Sequence, residues 1–224
     1  MSDASAVLFD IDGTLVDSNY LHVYAWCRAF HEVEIPVESW RIHRSIGMDG
    51  NRLLRSVAGD ADDDVLDRAK ELHLRYLRES APLLQRLPGA RELLERVTGL
   101  GMKVVLASSS SEDELALSLP VLDSDDLVAA KTSSKDVEVA KPEPTIIEVA
   151  LERAGADADH AVYVGDAVWD IVACGRAGVP AIGLLSGGVS RGELEKAGAE
   201  AVFENPQDLA DHLDDTSISR LTGA

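Results

Sequence analysis

Val7-Leu8-Phe9-Asp10-Ile11-Asp12-Gly13-Thr14-Leu15-Val16-Asp17-Ser18 is the stretch whose reading decides the fold. An apolar run ends in two carboxylates one residue apart, followed by Gly-Thr. Val7 to Phe9 read as a short buried strand and Asp12-Gly13 as its turn. Side chains alternate along a strand, so Asp10 and Asp12 are expected on one side, at its carboxyl end. In open α/β sheets that edge is where ligands bind. Two carboxylates held together repel, so one protonates or a cation joins them. One can then serve as a nucleophile and the other as a general acid/base, with Mg2+ offsetting the charge. Alone, the stretch also suits a strand capped by a solvated Asp-Gly turn. Three later stretches decide between the two.

From Gly89 onward, strand-like and helix-like segments alternate. Ala90 to Leu100 reads as a helix ended by Gly101, and Met102 to Ala107 as a buried strand. Ser111 to Leu119 reads as a short helix with Pro120 as its stop, and Pro142 to Ala154 as an amphipathic helix closed by Gly155. Strands are expected at Ala161 to Val164, Pro180 to Leu185 and Ala201 to Phe203. Helices are expected at Val168 to Ala177, Arg191 to Ala197 and Gln207 to Leu213. Repeated βα units of this length imply a parallel, doubly wound sheet.

Between the first strand and Gly89 the pattern is different. Ser18 to Val33, Glu38 to Ile46, Asn51 to Val57 and Asp62 to Leu84 read as helices, with no strand among them. The expected organisation is an α/β core of residues 1–15 and 84–224, with an inserted all-helical cap of residues 16–83 above the carboxyl end of the sheet. Such a lid excludes water and touches the substrate. Asp214 to Ala224 is polar and is expected to be a loosely held tail.

The chain has 224 residues, with 46% hydrophobic and 27% charged side chains, as in water-soluble globular proteins. No apolar stretch is long enough to span a bilayer, and Met1 to Ala4 lack the pattern of a signal peptide. Cys27 and Cys174 have no CxxC spacing, so zinc is not expected. Buried thiols suit a reducing cytoplasm, the expected location. A formal net charge of −19 argues against nucleic acid and anionic membranes as partners. The charge is uneven. Residues 16–83 carry nine basic and twelve acidic side chains, a net of −3 against −16 elsewhere. Arg41, Arg44, Arg52 and Arg55 face only one acid, Asp49, between Trp40 and Arg55. This basic island matters locally, because charges beyond ~8 Å are largely screened at physiological salt.

The second informative stretch is Lys103-Val104-Val105-Leu106-Ala107-Ser108-Ser109-Ser110, a buried strand ending in hydroxyls before a helix. Ser108 and the following N–H groups suit phosphoryl oxygens, although simple helix capping also accounts for serines there. The third is Ala140-Lys141-Pro142-Glu143-Pro144, with a lysine in a loop entering a helix on the same sheet edge. The fourth is Val162-Tyr163-Val164-Gly165-Asp166-Ala167-Val168-Trp169-Asp170-Ile171. Its two acids, four apart, fall at neighbouring positions around a helical turn. They suit Mg2+, which takes few protein carboxylates, as well as helix capping.

Together these four stretches resemble the haloacid dehalogenase superfamily, specifically its phosphatases with a helical cap after the first motif. DIDGTLVDS, VVLASSS, AKPEP and GDAVWD match the four superfamily motifs in order. The segment GDAVWDIVACGRAGVPAIGLLSGG is most similar to the phosphoglycolate phosphatase and beta-phosphoglucomutase-like relatives. The resemblance implies Asp10 as nucleophile, forming an aspartyl-phosphate, and Asp12 as acid and then base. It implies Asp166 on Mg2+ together with Asp10 and the Asp12 carbonyl, and Asp170 orienting the metal's waters or Lys141. Asp10, Asp12, Asp166 and Asp170 are thus the expected metal group. Ser108 and Lys141 would hold the transferred phosphoryl group, with Ser109 beside them.

Asp12 favours an alkoxide leaving group, which needs a proton, over a halide, which does not. The expected activity is therefore Mg2+-dependent hydrolysis of a small metabolite phosphate. A phosphosugar mutase uses the same groups. A non-turnover phospho-acceptor is the alternative from another class, disfavoured by Asp12 and the helical insertion. Specificity is expected in the cap, with Tyr20, His22, His43, Arg44 and Arg52 as candidates. At least one of Arg44 and Arg52 is expected to face the sheet edge and contact the substrate. Both monomer and homodimer are compatible with the sequence.

Overall fold

The computed structural model describes residues 4–137 and 141–221. Ala140 of the third motif, the chain start at Met1 to Asp3 and the last three residues lie outside the described residues. The strands are β1 (Ala6–Phe9), β2 (Val16–Asp17), β3 (Gln85–Arg86), β4 (Lys103–Ala107), β5 (Val128–Thr132), β6 (Ala161–Gly165), β7 (Ala181–Leu184) and β8 (Ala201–Phe203). The helices are α1 (Asn19–Glu32), α2 (Ser39–Ser45), α3 (Gly50–Ala58), α4 (Asp63–Ser80), α5 (Ala90–Gly99), α6 (Glu112–Leu122), α7 (Thr145–Ala154), α8 (Val168–Ala177), α9 (Arg191–Ala197), α10 (Pro206–Asp211) and α11 (Ser217–Arg220).

Six strands form one all-parallel sheet in the order β5-β4-β1-β6-β7-β8. Alternation along the three central strands sorts the core into two layers. Val7, Phe9, Val104, Leu106, Val162 and Val164 face one side, with Leu93 and Leu94 of α5 and Leu209 of α10. Ala6, Leu8, Val105, Ala107, Ala161 and Tyr163 face the other, with Ile146 and Ile147 of α7 and Ile171 of α8. Both faces are covered, which is why these strands are apolar throughout rather than alternating with polar residues. This is the doubly wound parallel sheet expected from the sequence.

Helices α1 to α4 bury a separate cluster built on Trp26, Phe30, Ile42, Leu54, Leu72 and Leu77. The chain leaves and re-enters the sheet region through the two-residue antiparallel ribbon β2–β3, where Val16 pairs with Arg86 and Asp17 with Gln85.

Four expectations need correction. Pro120 does not stop α6 but lies inside it, because the helix runs on to Leu122. The edge strand β5 has no counterpart in the sequence reading. Its burial alternates weakly, and Lys131 breaks its apolar character. Cys27 is only half-buried, whereas Cys174 is buried. The described part of the C-terminal segment is docked rather than loose. Ile218 is fully buried in the sheet-side core, and the Ser5 hydroxyl donates to the Leu221 carbonyl at 3.2 Å.

Candidate active site

β4, β1 and β6 are adjacent and parallel, so the residues that follow them emerge along one edge. β1 is also where the strand order reverses: β4 lies on one side of it and β6 on the other. This is the crevice at which doubly wound sheets bind ligands. Asp10 and Asp12 follow β1, Ser108 to Ser110 follow β4 and Asp166 follows β6. All of them line one pocket, which His22, Ile46 and Met48 close from the opposite side.

Lys141 reaches this edge from between β5 and α7 and is completely buried. Its Nζ donates to Asp10 Oδ1 at 2.6 Å and to the Tyr163 hydroxyl at 2.7 Å, and lies 2.7 Å from Asp170 Oδ1. The Ala107 carbonyl accepts from it at 3.2 Å. Burial opposes its charge, but Asp10 and Asp170 outweigh burial and hold its pKa above the ordinary lysine value. It is therefore a fixed cation. Asp170 is also held by its other oxygen, which accepts from the Ala167 backbone N–H at 3.0 Å. Asp166 accepts from Thr14 Oγ1 and from Asn19 Nδ2, each at 2.8 Å. Two glycines make room for it. A Cβ on Gly187 would sit 1.6 Å from Asp166 Oδ2, and one on Gly13, whose φ is +75°, would sit 2.5 Å from the same atom.

Carboxylate oxygens of Asp10, Asp166 and Asp170 all lie within 4.8 Å of one another. Burial, opposed by Lys141 but reinforced by Asp170 and Asp12, pushes Asp10 up to about 7. Burial, with Asp170 and Asp10, likewise raises Asp166 well above the carboxylate range. Three buried carboxylates face one buried ammonium. The excess negative charge and the all-oxygen donor set fit a small hard divalent cation. The described residues thus contain a buried acidic group able to hold a metal.

The Asp12 carboxylate is arranged differently. β1 ends at Phe9, so the strict strand alternation does not carry through Asp12. Its Oδ1 accepts from Ser18 Oγ at 2.6 Å and lies 3.4 Å from His22 Nε2; its Oδ2 accepts from Ser110 Oγ at 2.7 Å. The carboxylate is not part of the three-acid cluster. Its backbone carbonyl is the only part the resemblance assigns to the metal. Burial raises its proton affinity, but His22, Ser18 and Ser110 together outweigh burial and hold it well below the usual carboxylate range.

Ser108 Oγ accepts from the Ser110 backbone N–H at 3.1 Å, turning the chain into α6. Ser109 Oγ is buried against the pocket without a hydrogen-bond partner. Neither arginine expected at the substrate lines the pocket. Arg44 pairs with Glu193 of α9, and Arg52 lies 3.7 Å from Glu143. Both bridge the helical insertion to the sheet side. A guanidinium on an exposed helix face finds the nearest carboxylate, and this acidic chain supplies many. His43 Nε2 lies 2.9 Å from the Gly187 carbonyl, and Tyr20 stacks on the His43 ring.

Thr14, Asn19, Tyr163, His73 and Glu114 escaped the sequence reading. The first three brace Asp166 and Lys141. His22 Nδ1 lies 3.2 Å from His73 Nε2, and His73 Nδ1 lies 3.5 Å from Glu114 Oε1. Thr14 sits inside the first motif and was within reach of the sequence. Asn19 directly follows the first stretch and Tyr163 lies inside the fourth, whereas His73 and Glu114 have no local pattern to mark them.

The profile of the haloacid dehalogenase-like hydrolase family matches residues 7–184. The phosphoglycolate phosphatase of Rhodospirillum rubrum is 31% identical over 219 residues, covering 93% of this chain and 90% of that protein. The phosphorylated carbohydrates phosphatase of Thermotoga maritima is 28% identical over 212 residues, covering 93% and 97%. A solved hydrolase from Pseudomonas syringae superposes with a TM-score of 0.91 at 39% identity, covering 94% of this chain and 98% of that one. A Clostridium difficile beta-phosphoglucomutase shares the fold, with a TM-score of 0.84 at 20% identity over 99% and 100% of the two chains. With three strand ends lining one pocket, Lys141 buried against Asp10 at the same edge, and this match along most of its length, the chain belongs to the haloacid dehalogenase-like hydrolase family, as an enzyme of its phosphatase kind.

Proposed function

We propose that this phosphatase is a Mg2+-dependent phosphomonoester hydrolase of small metabolite phosphates, acting through an aspartyl-phosphate on Asp10. The reading rests on one observation: Asp10 and Asp12 line the same pocket but have opposite surroundings. Asp10 belongs to the cluster with Lys141 and Asp166. Asp12 belongs to a hydrogen-bonded group of Ser18, Ser110 and His22.

In the first half-reaction an Asp10 oxygen attacks phosphorus and the bond to the alcohol oxygen breaks. That oxygen takes a proton from Asp12. In the second, water attacks the phosphorus of the aspartyl-phosphate and gives its proton to Asp12. The bond to Asp10 breaks, inorganic phosphate leaves, and both side chains return to their starting state. In the free site Asp12 is held ionised, the form needed for the second half. The negative phosphoryl group arriving beside it raises its proton affinity toward the form needed for the first.

Lys141, Ser108 and the backbone N–H groups after β4 are assigned to the transferred phosphoryl oxygens, and Ser109 to the same wall. Asp10, Asp166 and the Asp12 carbonyl would hold Mg2+, with Asp170 orienting the metal's waters or Lys141. A divalent cation held there would neutralise charge on the nucleophile and the phosphoryl oxygens. Residues 16–83 are assigned to a cap that shields the site from water, hinged at β2–β3, over a core of residues 1–15 and 84–224.

The test is phosphate release from a panel of phosphate monoesters with Mg2+ and in excess chelator, combined with acid quench and peptide mass mapping. Metal-dependent release with phosphate carried on the Asp10 peptide is expected. Full release in chelator, or phosphate carried on a different residue, overturns the reading.

A further inference from the structure

The part of the pocket beyond the phosphoryl site has an unusual charge balance for a site named after anionic metabolites in its relatives. On the cap side its wall is Trp26, Ile46, Met48 and Leu53, all apolar, with Gly47 and Gly50 between them. No Arg or Lys is among the described residues lining it. His22 is the one basic group there. Both of its ring nitrogens are engaged, one with Asp12 and one with His73, so any charge it carries is already matched.

The pocket continues into an outer vestibule that shares Trp26, Gly50, Ser109 and Glu114 with it. Asp49, Asp67, Glu71, Asp113 and Glu114 line that vestibule. Glu71 is paired with Arg68 and Asp113 with Arg78, so Asp49, Asp67 and Glu114 stand against Lys70 and His73. Lys70 donates to Asn51 Oδ1 at 2.8 Å. His73 is buried, stacked on Trp26 with ring centroids 4.0 Å apart. Burial, and then the neighbouring His22, hold it well below the ordinary histidine range, so it is neutral. The nearby arginines, Arg44 and Arg52, are paired elsewhere. What the inner wall does offer is a neutral polar group. Ser109 Oγ, in a residue 8% exposed, has no partner within the protein.

We propose that this site selects phosphate monoesters whose alcohol portion is small, neutral and hydroxylated, and discriminates against those carrying a second anionic group. The proposal rests on the hydrolase reading above and names the substrate class of the same site. Lys141 and a bound metal balance only the transferred phosphoryl group. A carboxylate or second phosphate on the alcohol would enter a wall with no cation and face the acids of the vestibule, where like charges repel. The Ser109 hydroxyl offers a hydrogen bond to a substrate hydroxyl instead. A mutase that must rebind a sugar bisphosphate is disfavoured for the same reason.

The test is a matched pair. Phosphoglycolate and 2-hydroxyethyl phosphate share a skeleton and differ by carboxylate against hydroxymethyl. With Mg2+ at low ionic strength, kcat/KM for 2-hydroxyethyl phosphate is expected to exceed that for phosphoglycolate by about tenfold or more. Raising the salt should narrow the ratio by screening. Glu114→Gln should narrow it as well. The variant keeps the hydrogen bonds by which residue 114 joins Ser111 at the start of α6, so folding is preserved, as thermal unfolding would verify. Equal or better hydrolysis of phosphoglycolate overturns the proposal and leaves the hydrolase reading standing. A ratio indifferent to both salt and Glu114→Gln overturns its electrostatic basis. Release from neither ester, nor from p-nitrophenyl phosphate, overturns the hydrolase reading and this proposal with it.

Discussion

The two walls of the pocket are built on different principles. The sheet edge is charged and internally paired: Lys141 and Asp170 are completely buried, with Lys141 held at short distance by Asp10, Tyr163 and Asp170. The facing wall is apolar apart from His22, and Arg44 and Arg52 sit outside it in exposed ion pairs. A buried charge is tolerated only when paired, so each member of the edge constrains the others. An apolar wall constrains only shape, so its residues are more freely exchanged. The paired charges are thus gathered at the edge, while the facing wall supplies shape.

The largest effect that would break this contrast is expected at Asp10. Asp10→Asn should lower turnover on the order of 10⁴-fold or more while thermal unfolding stays near wild type. Substantial phosphate release by the folded variant would remove the nucleophile from the edge.

Asp12→Ala comes next. Loss of acid and base should slow each half-reaction ~10²–10⁴-fold. With an aryl phosphate, whose leaving group needs little acid help, rapid quench should detect one turnover of phenolate followed by slow phosphate release. Near-native steady-state rates on alkyl phosphates would contradict the role.

Lys141→Met probes the edge through stability. Removing one partner of a buried ion pair typically costs about 3–5 kcal/mol, and here it strands Asp10 and Asp170 together. Urea unfolding should show a midpoint lowered accordingly. A variant as stable as wild type would mean that the edge is not braced by charge.

Metal binding sharpens the same point. Mg2+ should raise the thermal midpoint of the wild type, because a ligand bound only to the folded state stabilises it, and should do so far less in Asp166→Asn. An equal shift in both proteins would move the metal away from the three-acid cluster.

The smallest effects belong to the cap arginines. Exposed ion pairs contribute about 0–1 kcal/mol, so Arg44→Ala and Arg52→Ala should unfold within about 1 kcal/mol of wild type. Their kcat/KM should change by no more than about threefold, since neither lines the pocket. A loss much larger than that in either variant would return the arginine to the substrate.

The sheet edge was legible in the sequence because each of its motifs is contiguous: a buried strand followed at once by the residue that acts. Val7 to Phe9 announces Asp10, Val104 to Ala107 announces Ser108, and Ala161 to Gly165 announces Asp166. Lys141 was legible as a candidate, but its complete burial between two aspartates and Tyr163 was not, since those partners lie between 22 and 131 residues away. Strand β5 was missed because an edge strand with exposed Lys131 carries little hydrophobic signal.

The sequence by itself determined the doubly wound sheet, the helical insertion after β1 and the residues at the strand ends. Those features follow from local periodicity and from the rule that parallel strands deliver their carboxyl ends to one edge. Only the tertiary structure decided which carboxylates share a cation-sized cluster, that Asp12 stands apart with His22, and that Arg44 and Arg52 are occupied by Glu193 and Glu143. The physical reason is range. Backbone periodicity is a property of neighbours along the chain, whereas the pairing of charges is settled by whichever opposite charge the fold brings within a few ångströms.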